Sequence, residues 1–361
     1  MLRLMPLRIA SLVFAPALAL VSSAPAHPSD KLTPPMHPYG LVIHGGAGVI
    51  KRANITPERD AAYRAALAEA LNAGYAVLEQ GGTALDAVVA AVNVLEDSPL
   101  FNAGKGAVFN ADGVCELDAS IMNGATLEAG AVAGLRHIRN PINLARDVME
   151  KSKHVFLIGE GAEKFAWSLG YESVENEYFH TDFRRAQLER ARKRESRENN
   201  GTATLPFDAK DDNEWFAREI KYGTVGCVAL DQAGNLAAAT STGGMTNKKF
   251  GRVGDVPVIG AGTYADNATC AISCTGWGEF FIRTTVARDI AAQMEYAGRD
   301  LVTATSVTLA KVKQLGGDGG IIGIDRAGNI VMDFNTAGMY RGYRLSNHEP
   351  FVALFDNEPR R

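Results

Sequence analysis

The chain has 361 residues, of which 46% are hydrophobic and 22% are charged, a composition that suffices for one large core or two domains. Its formal net charge is -4 at pH 7, so we expect neither nucleic acid nor an anionic membrane surface as a partner. The 37 glycines outnumber the 14 prolines, which favours tight turns over disorder and indicates a soluble globular protein.

The first 26 residues have the layout of a secretory signal. Arg3 and Arg8 come first, residues 9–21 are apolar, and small residues follow as far as Ala26. The alternative is a membrane anchor, but the apolar run is short for a membrane span, which needs ~20 residues. We therefore predict cleavage near Ala26 and export of the mature protein, to the periplasm in a bacterial host and otherwise by secretion.

Hydrophobic periodicity and capping residues predict the elements of the first half of the chain. Thr56 and Thr83 are suitable N-cap residues, and Pro57 suits a first helical turn. The predicted elements are a buried strand at 41–43, a glycine loop at 44–48, helices from 56 to about 81 and from 83 to 96, a strand at 154–158 and a helix from about 161. Residues 184–223 are charged or polar, which predicts a solvated helix that runs into a flexible linker.

The second half of the chain changes abruptly to β-branched and apolar residues. The predicted elements are strands at 224–230 and 236–240 joined by a turn at 231–235, strands at 256–264 and 268–274, helices at 279–297 and 300–315, and a hairpin of 321–324 and 329–332. Strands grouped together, then helices, then strands again favour layered α+β packing over a parallel βαβ arrangement.

The four cysteines form no metal-binding pattern. Cys270 and Cys274 lie in one predicted strand, where ~13 Å separates them, and a disulfide needs Cα atoms within ~7 Å. With Cys115 and Cys227, we expect most of them to be buried and to act as small apolar residues.

The candidate chemistry lies around Thr224, which opens a strand directly after the charged linker. The sequence contains no HExxH, P-loop lysine motif, GxSxG or zinc-spaced cysteine pair. A threonine hydroxyl is a weak nucleophile and needs a base. A threonine at a new N-terminus solves this, because its own α-amine, with a pKa near ~7.7, can act as the base. Release of that amine requires cleavage of the Gly223–Thr224 bond, and glycine tolerates the strained backbone of such a site.

A set of motifs in a fixed order then resembles a known family. The residues that carry the resemblance are 41–48, 98–104, 116–119, 223–226, 240–246 and 251–255. Together they are similar to the plant-type L-asparaginases, also called isoaspartyl peptidases, over essentially everything after the signal peptide. The resemblance implies a four-layer αββα N-terminal-nucleophile fold. It also implies a precursor that cleaves itself into an α chain, 27–223, and a β chain, 224–361, and a dimer of such αβ pairs.

The resemblance also implies roles for individual residues. Thr224 is the expected nucleophile, and Thr242 is expected to hydrogen-bond near its amine; without the resemblance, a hydroxyl at a strand end would be expected only to satisfy a backbone group. Arg252 is expected to grip the substrate α-carboxylate and Asp255 its α-ammonium, which suits a zwitterionic head group. The alternative for these two residues is a surface ion pair in a glycine loop.

Thr275 and Gly276 are expected to form the oxyanion hole, and Gly278 to present its carbonyl to the substrate amine. Trp277 departs from the family pattern, and its indole either narrows the pocket for the leaving group or packs away from it. Asn102 is expected to approach the nucleophile, whereas Asp118 is expected to serve a turn or cap. By resemblance, residues 95–105 bind a structural sodium ion through main-chain oxygens, and the residues expected to do so are Leu95, Glu96, Ser98, Phe101, Ala103 and Lys105.

The predicted function is hydrolysis of the asparagine side-chain amide and of β-aspartyl dipeptides, with no cofactor in catalysis. Glycosylasparaginase, which shares the fold and the nucleophile but cleaves the glycan–asparagine bond, is the rival enzyme. A non-catalytic exported scaffold that binds amino acids is the remote alternative, and it would leave the chain uncleaved at Thr224.

Overall fold

The computed structural model describes residues 38–199 and 223–358. The predicted signal peptide and the predicted linker from residue 200 to 222 lie outside the described residues. Within the described part, no helix is both long and apolar enough to cross a membrane.

The described residues form eight α-helices and twelve strands, besides two short 3-10 helices. The helices are α1 Pro57–Glu79, α2 Ala84–Asp97, α3 Pro141–Lys151, α4 Gly159–Ser168, α5 Asp182–Asn199, α6 Gly278–Thr284, α7 Val286–Ala297 and α8 Leu301–Gln314. The first six strands are β1 Gly40–Gly48, β2 Leu117–Asn123, β3 Ala129–Leu135, β4 Phe156–Ile158, β5 Val225–Leu230 and β6 Leu236–Thr242. The others are β7 Thr263–Ala265, β8 Cys270–Gly276, β9 Gly319–Asp325, β10 Ile330–Phe334, β11 Gly338–Leu345 and β12 Phe351–Phe355.

The strands form two sheets that are covered by helices on their outer faces. The eight-stranded sheet has the order β12-β11-β1-β5-β6-β2-β3-β4, and the four-stranded sheet has the order β10-β9-β8-β7. All neighbouring strands are antiparallel except β3 and β4. Helices α1 to α4 pack on the large sheet and α7 and α8 on the small one, while β5 and β6 face β8 and β9. The predicted four-layer αββα fold is confirmed.

Three apolar cores separate the four layers. One lies between the large sheet and its helices, one between the two sheets, and one between the small sheet and its helices. All four cysteines are buried and free of disulfide bonds, as expected. The two predicted caps also form: the Thr56 hydroxyl accepts from Arg59 N at 3.3 Å and the Thr83 hydroxyl from Asp86 N at 3.1 Å.

Three local predictions were wrong. The glycine loop at 44–48 is instead the second half of β1, because β11 pairs with it along its length around a bulge between His44 and Gly46. Most of the strand predicted at 256–264 forms turns, in which Asp255 O accepts from Val258 N and Gly262 N, and only Thr263–Ala265 are extended. The helix predicted at 279–297 is divided at Thr285, whose φ of 45° is left-handed.

Candidate active site

The register of the β5–β6 hairpin places two threonine hydroxyls together. Val225 pairs with Ser241, so Thr224, which precedes β5, lies opposite the last residue of β6, Thr242. Thr224 is buried, and its Oγ1 donates to Thr242 Oγ1 at 3.0 Å. The Thr242 oxygen also accepts from Gly244 N at 3.0 Å, which orients the hydroxyl from the following loop. The Thr224 and Thr242 hydroxyls are therefore held together by the two strands of one hairpin.

The backbone of the predicted cleavage site is in close contact with two other segments. Gly223 has a φ of +153°, and a Cβ built on it would lie 2.9 Å from Asn102 Cβ. A Cβ built on Gly46 of β1 would lie 2.7 Å from Gly223 Cα. Asn102 is fixed in turn, because its side chain donates to Gly244 O at 2.8 Å and accepts from Val108 N at 2.9 Å. Glycines are therefore needed at 46 and 223, where the backbones meet.

Thr275 and Gly276 lie at the end of β8. Ser273 of the same strand packs against Gly226, and Thr275 lies on the same face, two residues nearer the end of β8. The Thr275 hydroxyl is buried and makes no hydrogen bond within the described residues, so it is available to a ligand. Gly276 has a φ of +151°, and a Cβ there would lie 2.5 Å from Asp318 O, so only glycine fits.

Arg252, Asp255 and Gly278 are adjacent in the structure. A Cβ built on Gly278 would lie 2.8 Å from Asp255 Oδ1 and 3.0 Å from Arg252 Nη2. The Arg252 guanidinium makes a two-pronged ion pair with Glu279, at 2.9 Å through Nε and 2.8 Å through Nη2. A substrate carboxylate that binds Arg252 through the same edge must displace Glu279. The surface ion pair considered for Arg252 and Asp255 does not form; the arginine pairs with Glu279.

The buried carboxylates of Asp255 and Asp118 interact electrostatically with Arg252 and Lys248, respectively. Burial raises the pKa of Asp255 to about 7, against the opposing charge of Arg252, and Asp255 Oδ2 makes no hydrogen bond with the described residues. Burial also raises the pKa of Asp118, against the opposing charge of Lys248. The expected turn or cap role of Asp118 is only partly met: it lies in β2, and its Oδ1 accepts from Gly134 N at 2.9 Å. The Asp255 carboxylate, whose Oδ2 makes no hydrogen bond with the described residues, suits the ammonium of a substrate.

His44 is a site residue that sequence reasoning missed. Its Nδ1 lies 3.0 Å from the Thr224 carbonyl oxygen and its Nε2 lies 2.9 Å from Ser273 Oγ. Burial lowers the pKa of His44 to about 3, despite its hydrogen bond to the Thr224 carbonyl, so the ring is neutral at physiological pH. The signal available in the sequence was a histidine directly after the apolar residues 41–43. We interpreted it as part of the glycine-rich segment 44–48.

Main-chain oxygens of the segment 95–105 lie close to Gly104 and Gly106. A Cβ built on Gly106, whose φ is +97°, would lie 2.6 Å from Pro99 O and 2.8 Å from Phe101 O. A Cβ on Gly104, whose φ is +47°, would overlap Glu96 O, which accepts from Lys105 N at 2.7 Å. Carbonyl oxygens are the kind of ligand that a hard cation binds.

The residues predicted to bind sodium lie in one stretch of the chain. Leu95 and Glu96 are in the last turn of α2, and Ser98, Phe101, Ala103 and Lys105 are in the segment that follows it. The Lys105 ammonium lies over the Tyr178 ring, 5.7 Å from its centroid. No group of three or more His, Cys, Asp or Glu side chains that could hold a metal occurs in 38–199 or 223–358, so a cation here would depend on main-chain oxygens.

Trp277 links β8 to α6. Its ring is half-buried and stands edge-on to Phe280 with 5.0 Å between the centroids. The main-chain N–H of Trp277 donates to Asp318 O at 2.9 Å. The indole therefore has a packing partner on α6, next to the site glycines.

Known proteins resemble this chain over most of its length. A family model described as Asparaginase matches residues 36–353. The chain is 51% identical over 321 residues to the isoaspartyl peptidase of Escherichia coli strain K12, covering 87% of this chain and 95% of that protein. It is 44% identical over 300 residues to the isoaspartyl peptidase/L-asparaginase of Mus musculus, covering 83% and 86%, respectively. The corresponding protein of Danio rerio is 43% identical over 300 residues, covering 83% and 90%.

Proposed function

This chain belongs to the asparaginase family, and we propose that it is an isoaspartyl peptidase and L-asparaginase that uses Thr224 as an N-terminal nucleophile. The observation that carries the proposal is the 3.0 Å contact between the Thr224 and Thr242 hydroxyls, one residue after the glycine of the predicted cleavage site. Substrates are the side-chain amide of L-asparagine and the β-aspartyl bond of small peptides. The mature enzyme consists of an α chain that ends at Gly223 and a β chain that begins at Thr224.

Catalysis follows from the free α-amine of Thr224. The neutral amine accepts the proton of Thr224 Oγ1 while that oxygen bonds to the substrate carbonyl carbon. The Thr275 hydroxyl and the Gly276 N–H donate to the tetrahedral oxyanion, and the C–N bond then breaks as the amine returns its proton to the leaving nitrogen. Ammonia or an amino acid leaves, and water, deprotonated by the same amine, hydrolyses the ester at Thr224 to release aspartate.

The substrate head group has two recognition elements. Arg252 exchanges Glu279 for the α-carboxylate, and ionised Asp255 binds the α-ammonium together with the Gly278 carbonyl. This pairing requires a free α-carboxylate and a free α-ammonium, so the scissile carbonyl is that of the side chain, attached to Cβ. Both asparagine and β-aspartyl peptides have it, whereas an ordinary α-peptide bond does not.

Self-cleavage is tested by Thr224→Ala. We expect this variant to stay a single chain without activity, because the attacking hydroxyl is lost, whereas the wild type gives two chains on a denaturing gel. N-terminal sequencing of the smaller wild-type chain should begin at Thr224. If purified Thr224→Ala still splits at this bond, an outside protease makes the cut and the nucleophile proposal fails.

We propose further that the loop at 95–105 holds a structural sodium ion, supported by the convergence of Pro99 O and Phe101 O at Gly106. The protein is proposed to be a dimer of αβ pairs. What supports the dimer is a set of exposed large apolar side chains on the edge strand β4 and in and around α4, namely Val155, Phe156, Ile158, Trp167 and Leu169. Light scattering of the purified enzyme measures the mass directly.

Export is proposed from the charged, apolar and small-residue layout of the first 26 residues. The mature α chain should then begin near His27, which N-terminal sequencing of the larger chain reports.

A further inference from the structure

A continuous chain of hydrogen bonds runs from the main chain of Thr224 through the space between the two sheets. It begins at His44, which contacts Thr224 O at 3.0 Å and Ser273 Oγ at 2.9 Å. Ser273 Oγ lies 2.8 Å from Thr240 Oγ1, which accepts from Thr263 Oγ1 at 2.6 Å. Ser120 closes the chain, 2.8 Å from Thr263 Oγ1. One residue comes from each of β1, β8, β6, β7 and β2.

The chemistry of the end groups fixes the direction of these hydrogen bonds. A carbonyl oxygen only accepts, so His44 Nδ1 carries the proton that is donated to Thr224 O. The ring is neutral, and Nε2 therefore accepts the Ser273 hydroxyl proton. Ser273 Oγ then accepts from Thr240, and Thr240 accepts from Thr263. The hydroxyls of Thr263, Thr240 and Ser273 thus point in sequence towards the histidine, and Ser273 donates to it.

These five polar side chains lie between the two sheets, where apolar side chains could hold the sheets together instead. His44, Ser273, Thr240, Thr263 and Ser120 have no solvent exposure, and the adjoining core between the sheets is apolar. A buried polar network gives little net stability compared with apolar residues of the same shape, but a fully satisfied network specifies one arrangement. The arrangement specified here is the position of the Thr224 main chain.

We propose that His44 is a positioning residue for Thr224, and that Ser273, Thr240 and Thr263 act through it to hold the nucleophile in its reactive orientation. The proposal rests on the function proposed above for Thr224. Fixing the Thr224 carbonyl fixes ψ of Thr224, the torsion angle between the carbonyl and the α-amine, and so fixes the direction of the α-amine. The contact with Thr242 holds Oγ1. Before cleavage, the same hydrogen bond restrains the Thr224 main chain directly after the proposed scissile bond. Substrate binding, which uses Arg252 and Asp255, does not depend on it.

The test compares His44→Leu with His44→Asn. Leucine removes both hydrogen bonds, whereas the asparagine amide nitrogen lies close to the place of Nδ1 and can still donate to Thr224 O. We expect slower self-cleavage in His44→Leu and a kcat per cleaved chain lower by about 10- to 100-fold, the scale of a misplaced reacting group, with KM nearly unchanged. His44→Asn should recover part of both rates. Equal losses in the two variants would overturn the role of the Nδ1 donor.

A second pair of variants keeps the test informative if His44→Leu does not fold. Thr263→Val removes one hydroxyl of the chain, two hydrogen bonds away from Ser273 and without contact to Thr224. Thr305→Val on α8 is its matched control, because Thr305 is equally buried but has no hydrogen bond to the chain. We expect kcat to fall in Thr263→Val alone, with KM constant. If both variants retain wild-type kcat, the chain is structural only; if Thr224→Ala is also active, the proposed nucleophile itself is wrong.

Discussion

Replacing Asp255 by asparagine should change the stability of this protein and its substrate binding in opposite directions. The Asp255 side chain is buried with one oxygen lacking any hydrogen bond to the described residues, and burial raises its pKa to about 7. An isosteric amide cannot ionise, so Asp255→Asn removes the burial penalty of the charged form. It also removes the negative charge that binds the substrate ammonium. We therefore expect a more stable protein with weak substrate binding.

The magnitude follows from the two protonation equilibria. The folded pKa, about 7, lies above the ordinary value of 3.8, so the folded protein binds this proton more tightly than the unfolded chain. Asp255 therefore favours folding at low pH, and that contribution is lost as pH rises from about 4 to about 7. At 1.36 kcal/mol per pH unit this interval corresponds to about 4 kcal/mol, which already includes the opposing attraction of Arg252.

The assay is the thermal unfolding midpoint of Asp255→Asn and of the wild type between pH 4.5 and pH 8. The variant should exceed the wild type by more at pH 8 than at pH 4.5, at roughly 2–4 °C per kcal/mol. Asp112→Asn is the control, because it makes the same substitution at an exposed position. If the Tm difference between Asp255→Asn and the wild type is the same at both pH values, the argument is refuted. In activity assays, the binding of β-aspartyl peptides should weaken by about 2–5 kcal/mol, and their KM should rise accordingly.

Other variants test the remaining contacts of the site. Arg252→Ala should still cleave itself but lose hydrolysis mainly through a higher KM, and a near-normal KM would remove Arg252 from the site. Gly226→Ala should fold poorly or stay uncleaved on a denaturing gel, because the added Cβ would overlap Ser273 Oγ, and a cleaved, fully active variant would contradict this. Trp277→Thr should lower Tm through the lost Phe280 contact; a ~10-fold rise in kcat/KM for bulky β-aspartyl dipeptides relative to asparagine would instead place the indole at the leaving group.

The sequence predicted the elements whose signals are local. The helices after Thr56 and Thr83 begin where their caps indicate, and the hairpin around 231–235 forms as its turn residues predict. Strands β2 and β3 gave no clear signal, because they are buried on both faces and lack the alternation of a half-exposed strand. The extension of β1 to Gly48 depends on β11, almost three hundred residues away, so glycine content alone predicted a loop.

The same distinction applies to the site. The proximity of Thr224 and Thr242 follows from the turn between their strands, whereas the roles of Arg252 and Asp255 came only from the family resemblance. The pairing of Arg252 with Glu279 joins a loop to a helix in three dimensions, and no local pattern announces it. The fully buried His44 was missed because its partners lie 180 and 229 residues further along the chain.

Register in the β5–β6 hairpin is the link between the sequence and the proposed chemistry. Asp231 fixes the turn, because its Oδ1 accepts from Ala233 N at 3.0 Å and from Asn235 N at 2.8 Å. Its Oδ2 accepts from Ala84 N at the start of α2, which ties the turn to the helix layer. A slip of one residue would turn every side chain of β6 to the opposite face, so the Thr242 hydroxyl would point away from Thr224. The Asp231 carboxylate at the far end of the hairpin therefore helps to fix the register that brings Thr224, the proposed nucleophile, to Thr242.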